Sequence, residues 1–376
     1  MKSLLELINY GQSYWLDNLS RKMIVNGMLK KRVTEQGLRG VTSNPTIFNK
    51  AISKSEDYDE QILQLVKEGK SVAEIYEALV VKDVQDACDI LRQVYDDSNG
   101  LDGYVSLEVS PYLARHPKET MEEARHLFKA VNRPNCMIKI PGTLEGLPAI
   151  EQMLYENVNV NVTLLFSIQS YEKVAGAYIK ALERRSAENK SLANVASVAS
   201  FFISRIDVLV DQLLGHRILP GKNDSDGTLA KDSLGKLAVA SGKLAYQSFK
   251  KIFSGKKWDL LVAKGARVQR PLWASTSTKN PNYYDACYVE PLIGSNTVNT
   301  MPDDTIEAFA DHGKIIENSV EQNLKEARES FENLKKLNIN IDYVTRRLED
   351  EGIQKFIDPY NILMESISSK REQFLR

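Results

Sequence analysis

Short apolar runs ending in polar residues alternate along this chain with longer stretches of helical period. The first run is Ser13-Tyr14-Trp15-Leu16-Asp17. A helical pattern from Ser20 to about Gln36 follows, with Met23, Ile24, Met28 and Val33 on its apolar face and Gly37 as its stop. Gly40-Val41-Thr42-Ser43-Asn44-Pro45-Thr46 reads as a short strand running into a turn, because proline pushes the residue before it out of helical geometry. The stretch from Ser55 to about Tyr95 is helix-rich, and Tyr104–Val109 is a strand ended by Ser110-Pro111. A helix over about Lys118–Ala130 leads to the run Cys136-Met137-Ile138-Lys139-Ile140, closed by Pro141-Gly142. Helices near Leu147–Tyr155 and Ser167–Arg185 then alternate with strands at Val158–Thr163 and Val195–Phe202. After a mostly helical stretch from Asp207 to Phe253, a strand at Arg270–Ser275 and an eighth within Tyr288–Thr300 precede a helical tail.

Strands alternating with helices predict a parallel α/β sheet, and about eight such units predict a closed (β/α)8 TIM barrel. No low-complexity linker or internal repeat divides the chain, so the pattern predicts one domain over residues 1–376. It carries a helical insertion at about 207–265 and a C-terminal helical extension at about 304–376. The gap between the sixth and seventh strands is about twice an ordinary βα unit.

Composition narrows the function classes. The formal net charge of −1 over 376 residues points to neither nucleic acid nor an anionic membrane as a partner. Cys88, Cys136 and Cys287 are odd in number and far apart, without a disulfide framework or zinc spacing. No apolar run approaches the roughly 18–20 residues that span a bilayer, and Met1–Leu7 carries Glu6 within its only apolar cluster, unlike a signal peptide. These features predict a soluble cytoplasmic protein, leave monomer or homodimer open, and call for no metal and no nucleotide cofactor. His116, His126, His216 and His312 lack metal-ligand spacing. Gly215–Lys222 misses the phosphate-loop pattern by one residue, and Asp96–Gly100 lacks the closing ligands of a calcium loop. The stretch Pro220–Gly227 reads as a surface loop.

The candidate chemistry centres on Lys139. A cation inside an apolar strand is either a long side chain reaching solvent or an amine whose desolvation favours its neutral, nucleophilic form. Asp17, Asn44, Glu108, Thr163, Ser200 and Ser275 also stand at predicted strand ends, the end that carries the active site in such barrels. Each has a plain alternative: Asp17 as a helix N-cap, Asn44 as a turn residue, Glu108 as a solvated charge, Thr163 and Ser200 as strand-end filler. Arg205 could pair with Asp207, and Lys279 could lie on a loop surface.

Taken together, Gly40–Thr46, Val105–Val109, Met137–Pro141, Asn161-Val162-Thr163-Leu164-Leu165-Phe166-Ser167, Ser200–Ile206 and Ser275–Asn280 resemble the transaldolase family, in its longer subgroup. The resemblance runs from about Asp17 to Pro302. It implies a class I barrel that moves a dihydroxyacetone unit between sugar phosphates through a lysine Schiff base, without cofactor, in the non-oxidative pentose phosphate pathway. Carried over by position, it implies that Lys139 is the nucleophile and Asp17 the acid–base group for C3–C4 cleavage. Glu108 and Thr163 would handle a proton-shuttling water. Asn44 and Ser200 would bind the three-carbon unit, and Arg205, Ser277 and Lys279 the phosphate.

Lys279 departs from the arginine expected there, keeping the charge but losing the bidentate fork. Phe202 stands where aldolase-type relatives place a tyrosine, which favours transfer over release of free dihydroxyacetone. The rival readings are such an aldolase, a non-catalytic sugar-phosphate-binding barrel, and a scaffold role for the insertion and tail.

Overall fold

All eight expected strands form. In the computed structural model, which describes residues 2–218 and 225–375, they are β1 Gln12–Leu16, β2 Gly40–Thr42, β3 Tyr104–Glu108, β4 Cys136–Pro141, β5 Val160–Leu165, β6 Ser197–Phe202, β7 Arg270–Ala274 and β8 Thr297–Met301. They pair in parallel and in chain order, and β8 closes on β1 to give a (β/α)8 barrel. Several boundaries differ from the sequence reading for local reasons. The single helix expected over Ser20–Gln36 is two, Arg21–Val25 and Met28–Gln36, because Gly27 adopts φ 77° between them. Asn44 does not open a free turn but caps the helix Pro45–Ser53, accepting from Ile47 N at 3.1 Å with Pro45 in its first turn. Glu290–Leu292 is a 3-10 turn, so the eighth strand begins later, at Thr297.

Side chains alternate across each strand, and this period of two sorts the barrel into an inside and an outside. Val105 and Leu107, Ile138 and Ile140, Val160 and Val162, and Ala199 and Phe201 join the large core between strands and helices. Their neighbours Trp15, Tyr104, Met137, Val198, Leu272 and Val298 form a separate apolar cluster inside the barrel. Gly40 faces this layer as well: a Cβ there would lie 2.4 Å from the Trp15 ring. Below it, a polar plug closes the amino-terminal end. Arg270 gives Nη1 to Asp102 Oδ1 at 3.0 Å and Nη2 to Ser13 Oγ at 2.6 Å and Thr297 O at 2.7 Å, while Ser13 Oγ donates to Asp102 Oδ2 at 2.7 Å. The apolar layer therefore separates this ion pair from the other end of the barrel, where a second polar layer gathers.

Between β6 and β7 the chain forms helices Ser204–Gly215, Ser225–Ser233, Leu237–Ile252 and Lys256–Val262. Residues 219–224, where Gly215–Lys222 ends and most of the expected surface loop Pro220–Gly227 falls, lie outside the described residues. After β8 come Asp303–His312, Leu324–Lys336 and the long C-terminal helix Ile341–Leu375. That last helix packs on Pro45–Ser53, which follows β2, and on Ser204–Gly215, which follows β6. Those strands stand opposite each other in the ring, so the helix crosses the mouth. No helix among the described residues is long and apolar enough to cross a membrane.

Two glycines test this packing in opposite directions. Gly40→Ala should lose about 1–3 kcal/mol by forcing a methyl group into the Trp15 ring. Gly176→Ala, inside helix Ile168–Ala187 with nothing within 4 Å of a new Cβ, should gain about 0.5–1 kcal/mol. Denaturant midpoints of the two variants should move in opposite senses.

Candidate active site

Register brings the central pair together. Glu108 on β3 lies beside Lys139 on β4, which lies beside Asn161 on β5, so all three side chains enter the barrel at one level. Lys139 is 4% exposed and Glu108 6%, which excludes the reading in which the lysine reaches bulk water. Its Nζ donates to Glu108 Oε2 at 3.0 Å and to the Ser43 carbonyl at 2.9 Å. A ladder supports the pair: Ser43 Oγ donates to Ser106 O, Asn161 Nδ2 to Ser106 Oγ, and Ser200 Oγ to Asn161 Oδ1 at 2.6 Å. Burial pushes the Glu108 carboxyl above its ordinary value, and the Lys139 charge and hydrogen bond draw it back. A proton passed from the ammonium to Glu108 leaves a neutral amine.

Asp17 follows β1 and is not a helix cap; Ser20 caps the next helix, accepting from Met23 N. Thr42 donates to Asp17 Oδ1 at 2.7 Å, and the Thr300 hydroxyl lies 2.7 Å from that of Thr42. Burial raises the Asp17 carboxyl above its usual range, against the Thr42 hydrogen bond and the charges of Lys139 and Lys279. Thr163 lies two residues after Asn161 and so shares its inward face; around it β5 is irregular, the register with β6 shifting between Val162 and Leu165 and Leu164 taking φ 63°. Thr163 Oγ1 and Glu108 Oε1 are buried with no hydrogen-bond partner among the described residues, so two polar atoms at the amine's end of the barrel are open to a ligand.

These groups meet in a cavity of about 260 Å³ whose wall includes Asp17, Asn44, Lys139, Thr163, Ser200, Phe202, Arg205, Ser277 and Lys279. Of the sequence-derived candidates only Glu108 stands behind the wall, bonded to Lys139. Ser275 reaches the wall with φ 55°, and Lys279 Nζ donates to Ser277 Oγ. Lys279 is exposed as a whole. Desolvation of its ammonium in the mouth, then the Arg205 charge, nonetheless hold it below its ordinary value. Arg205 does not pair with Asp207. Asp207 instead accepts from Ala238 N at 2.7 Å and Tyr288 OH at 3.0 Å, tying the helix that carries Arg205 to the inserted helix Leu237–Ile252. Sequence reasoning missed Thr42 and Thr300 beside Asp17, Lys50 on the rim, and Phe356 from the C-terminal helix, all of which line the same cavity. The first two stand at strand ends and were open to the same argument as Asp17; nothing local marks Phe356. Among the described residues no group of three or more His, Cys, Asp or Glu could hold a metal ion.

The chain is similar to known proteins along nearly its whole length. Residues 14–367 match the family model described as transaldolase/fructose-6-phosphate aldolase. The chain is 50% identical to a protein of Trichodesmium erythraeum named transaldolase, over 98% of this chain and 97% of that one. It is 51% identical to transaldolase 2 of a Nostoc species over the same shares, and 46% identical to a Parafrankia transaldolase over 99% and 98%.

The anchor beneath Arg205 gives a pH test. Burial raises the Asp207 carboxyl from 3.8 to about 7. The native state therefore holds a proton there that the unfolded chain has released, and the associated stability is full below about pH 4 and lost as pH rises through about 7. The stability of the wild type relative to Asp207→Asn should fall over that window, by up to about 4 kcal/mol. Urea titrations of both proteins at pH 4.5 and 7.5 check it; a constant difference between them is the contrary result.

Proposed function

The chain belongs to the transaldolase/fructose-6-phosphate aldolase family, its activity is that of a transaldolase, and we propose that Lys139 is the amine through which it works. The reaction moves a dihydroxyacetone unit from a ketose phosphate, such as sedoheptulose 7-phosphate or fructose 6-phosphate, to an aldose phosphate such as glyceraldehyde 3-phosphate or erythrose 4-phosphate. The observation that carries the assignment is an amine buried at the carboxyl end of a barrel strand, within hydrogen-bond reach of a carboxylate whose affinity for protons burial has raised.

The neutral Lys139 amine attacks the C2 carbonyl. Glu108 takes the amine proton, and a water between Glu108 and Thr163 carries protons to and from the carbinolamine oxygen until it leaves as water. The free oxygens of both residues support that role. Asp17 takes the C4 hydroxyl proton as the C3–C4 bond breaks, and the electron pair flows into the iminium to give an enamine. The aldose phosphate departs, the acceptor aldehyde adds to the enamine carbon, and Asp17 returns the proton to the new hydroxyl. The iminium is the electron sink, so the chemistry calls for no cofactor.

Asn44 and Ser200 hold the hydroxyls of the retained unit. Asn44 Oδ1 already caps a helix, so its amide group is the part directed at substrate. Arg205, Ser277 and Lys279 bind the phosphate, with the two cations as charge-assisted donors. Phe202 packs on Phe166, ring centroids 5.2 Å apart, and among the described residues no tyrosine lines the cavity to protonate the enamine, which favours transfer over release. The near-neutral net charge and free cysteines support a cytoplasmic enzyme whose partners are its sugar-phosphate substrates.

Incubation with fructose 6-phosphate and borohydride should place a three-carbon adduct on the peptide holding Lys139 and release glyceraldehyde 3-phosphate. Lys139→Met should lose the adduct and roughly 10⁴-fold or more in kcat. An adduct on another lysine rejects the assignment. In Thr42→Val, loss of the hydrogen bond that lowers the Asp17 carboxyl should move the acidic limb of kcat/KM to higher pH. A limb that stays in place would mean another group sets it.

A further inference from the structure

We propose that Phe356, supplied by the C-terminal helix, covers the Lys139 nitrogen and keeps the enamine for the acceptor by excluding bulk water; the inference rests on Lys139 forming the Schiff base. The Lys139 Nζ lies 5.6 Å from the centre of the Phe356 ring, and Phe356 is part of the wall of the catalytic cavity. Among the described residues it is the one wall residue that comes from outside the barrel's βα units.

The helix is built to hold the ring there. Leu348, Gly352 and Phe356 follow at intervals of four on one stripe, facing Leu164, Phe166 and Phe202. A side chain at Gly352 would press on Leu164 at 3.0 Å and Phe166 at 3.3 Å, so glycine lets the helix settle close to the end of β5. One turn beyond Phe356, the Tyr360 ring meets Tyr76 and Tyr112 edge-on, and Tyr112 OH donates to Asn361 at 2.7 Å. Leu363 and Ile367 are buried, and Lys370 bonds to the Ser55 carbonyl and Asp59 at the far end. Arg115 pairs with Asp350 and Glu349 at the near end. A helix fixed on both sides of the mouth presents one aromatic ring at the nitrogen.

The chemistry at that nitrogen gives the ring two consequences. An aromatic face stabilises the positive charge of the iminium. It also occupies the approach that water would need. Once the aldose phosphate has left, the enamine carbon either attacks an acceptor aldehyde or takes a proton from water. In the second case the resulting iminium is hydrolysed by another water, returning the lysine amine and releasing free dihydroxyacetone. The ring thus separates a transferase from an aldolase on one set of catalytic groups.

The test compares wild type with Phe356→Ala, Phe356→Gln and Phe356→Leu in fructose 6-phosphate plus erythrose 4-phosphate, measuring dihydroxyacetone released against sedoheptulose 7-phosphate formed. The ratio should rise about tenfold in Phe356→Ala and rise also in Phe356→Gln, which keeps bulk but binds water. Phe356→Leu, still an apolar cover, should remain within about twofold of wild type. Phe356→Gln carries the test if the alanine variant does not fold. An unchanged ratio in a folded Ala or Gln variant overturns the inference, as does an equal rise in Phe356→Leu. Borohydride trapping runs alongside: no adduct on Lys139 in the wild type removes the Schiff-base assignment itself, whereas a normal adduct with an unchanged ratio removes only the role of Phe356.

Discussion

The constraint on which this structure turns is an ion pair inside the barrel. Lys139 and Glu108 are both nearly inaccessible, and taking two charges out of water costs several kcal/mol per ion before their attraction returns any of it. Such a pair is tolerable only where further hydrogen bonds and exact placement compensate. Here compensation comes from the Ser43 carbonyl, the Ser106–Asn161–Ser200 ladder and a register that sets Glu108, Lys139 and Asn161 abreast. A slip of one residue in β4 would send Lys139 into the apolar shell between strands and helices and turn Ile138 or Ile140 inward. The hydrophobic alternation that builds the barrel and the position of the amine are one requirement.

The layers beneath the pair follow from the same electrostatics. Arg270 and Asp102 form a second buried ion pair at the opposite end, satisfied by Ser13 and by backbone carbonyls. Trp15, Tyr104, Met137, Val198, Leu272 and Val298 lie between the two polar levels. This apolar layer excludes water from below, so the site is wetted only from its mouth. Burial then raises Asp17 and Glu108 together, and their separate partners, Thr42 for one and Lys139 for the other, give each carboxyl its own task.

Much of this was legible in the sequence because it depends on short-range regularities. Short apolar runs alternating with helical stretches marked the strands, and polar residues at their carboxyl ends marked Lys139, Asp17, Glu108, Thr163 and Ser200 as neighbours. What stayed hidden depends on conformation or on contacts between distant segments. Asn44 is both helix cap and cavity wall, and Asn-Pro alone cannot distinguish a turn from a capped helix. Leu164 and Ser275 hold left-handed backbone where nothing in their chemistry asks for it, and at Leu164 the register of β5 shifts with it. The tail could be read as helical, but Phe356 is one of many apolar residues on it. Only the packing of Gly352 against β5 selects that ring.

The mouth that results has two unlike sides. Arg205, Lys279 and Lys50 make one side cationic, and their mutual repulsion contributes to holding the Lys279 ammonium below its ordinary value. On the proposed roles, a phosphate relieves that repulsion as it binds, which links affinity for the substrate's far end to the charge gathered at the rim. Phe166, Phe202 and Phe356 make the other side apolar, beside the nitrogen. In the mechanism we propose, the phosphate is held by charge where water can come and go, and the carbon that must not meet water lies under aromatic cover. Lysine in place of arginine at 279 fits this division. Several cations sharing one phosphate on an open rim need charge more than the rigid fork of a guanidinium, and the proposed roles of Asn44 and Ser200 then leave the orientation of the sugar to groups deeper in the cavity.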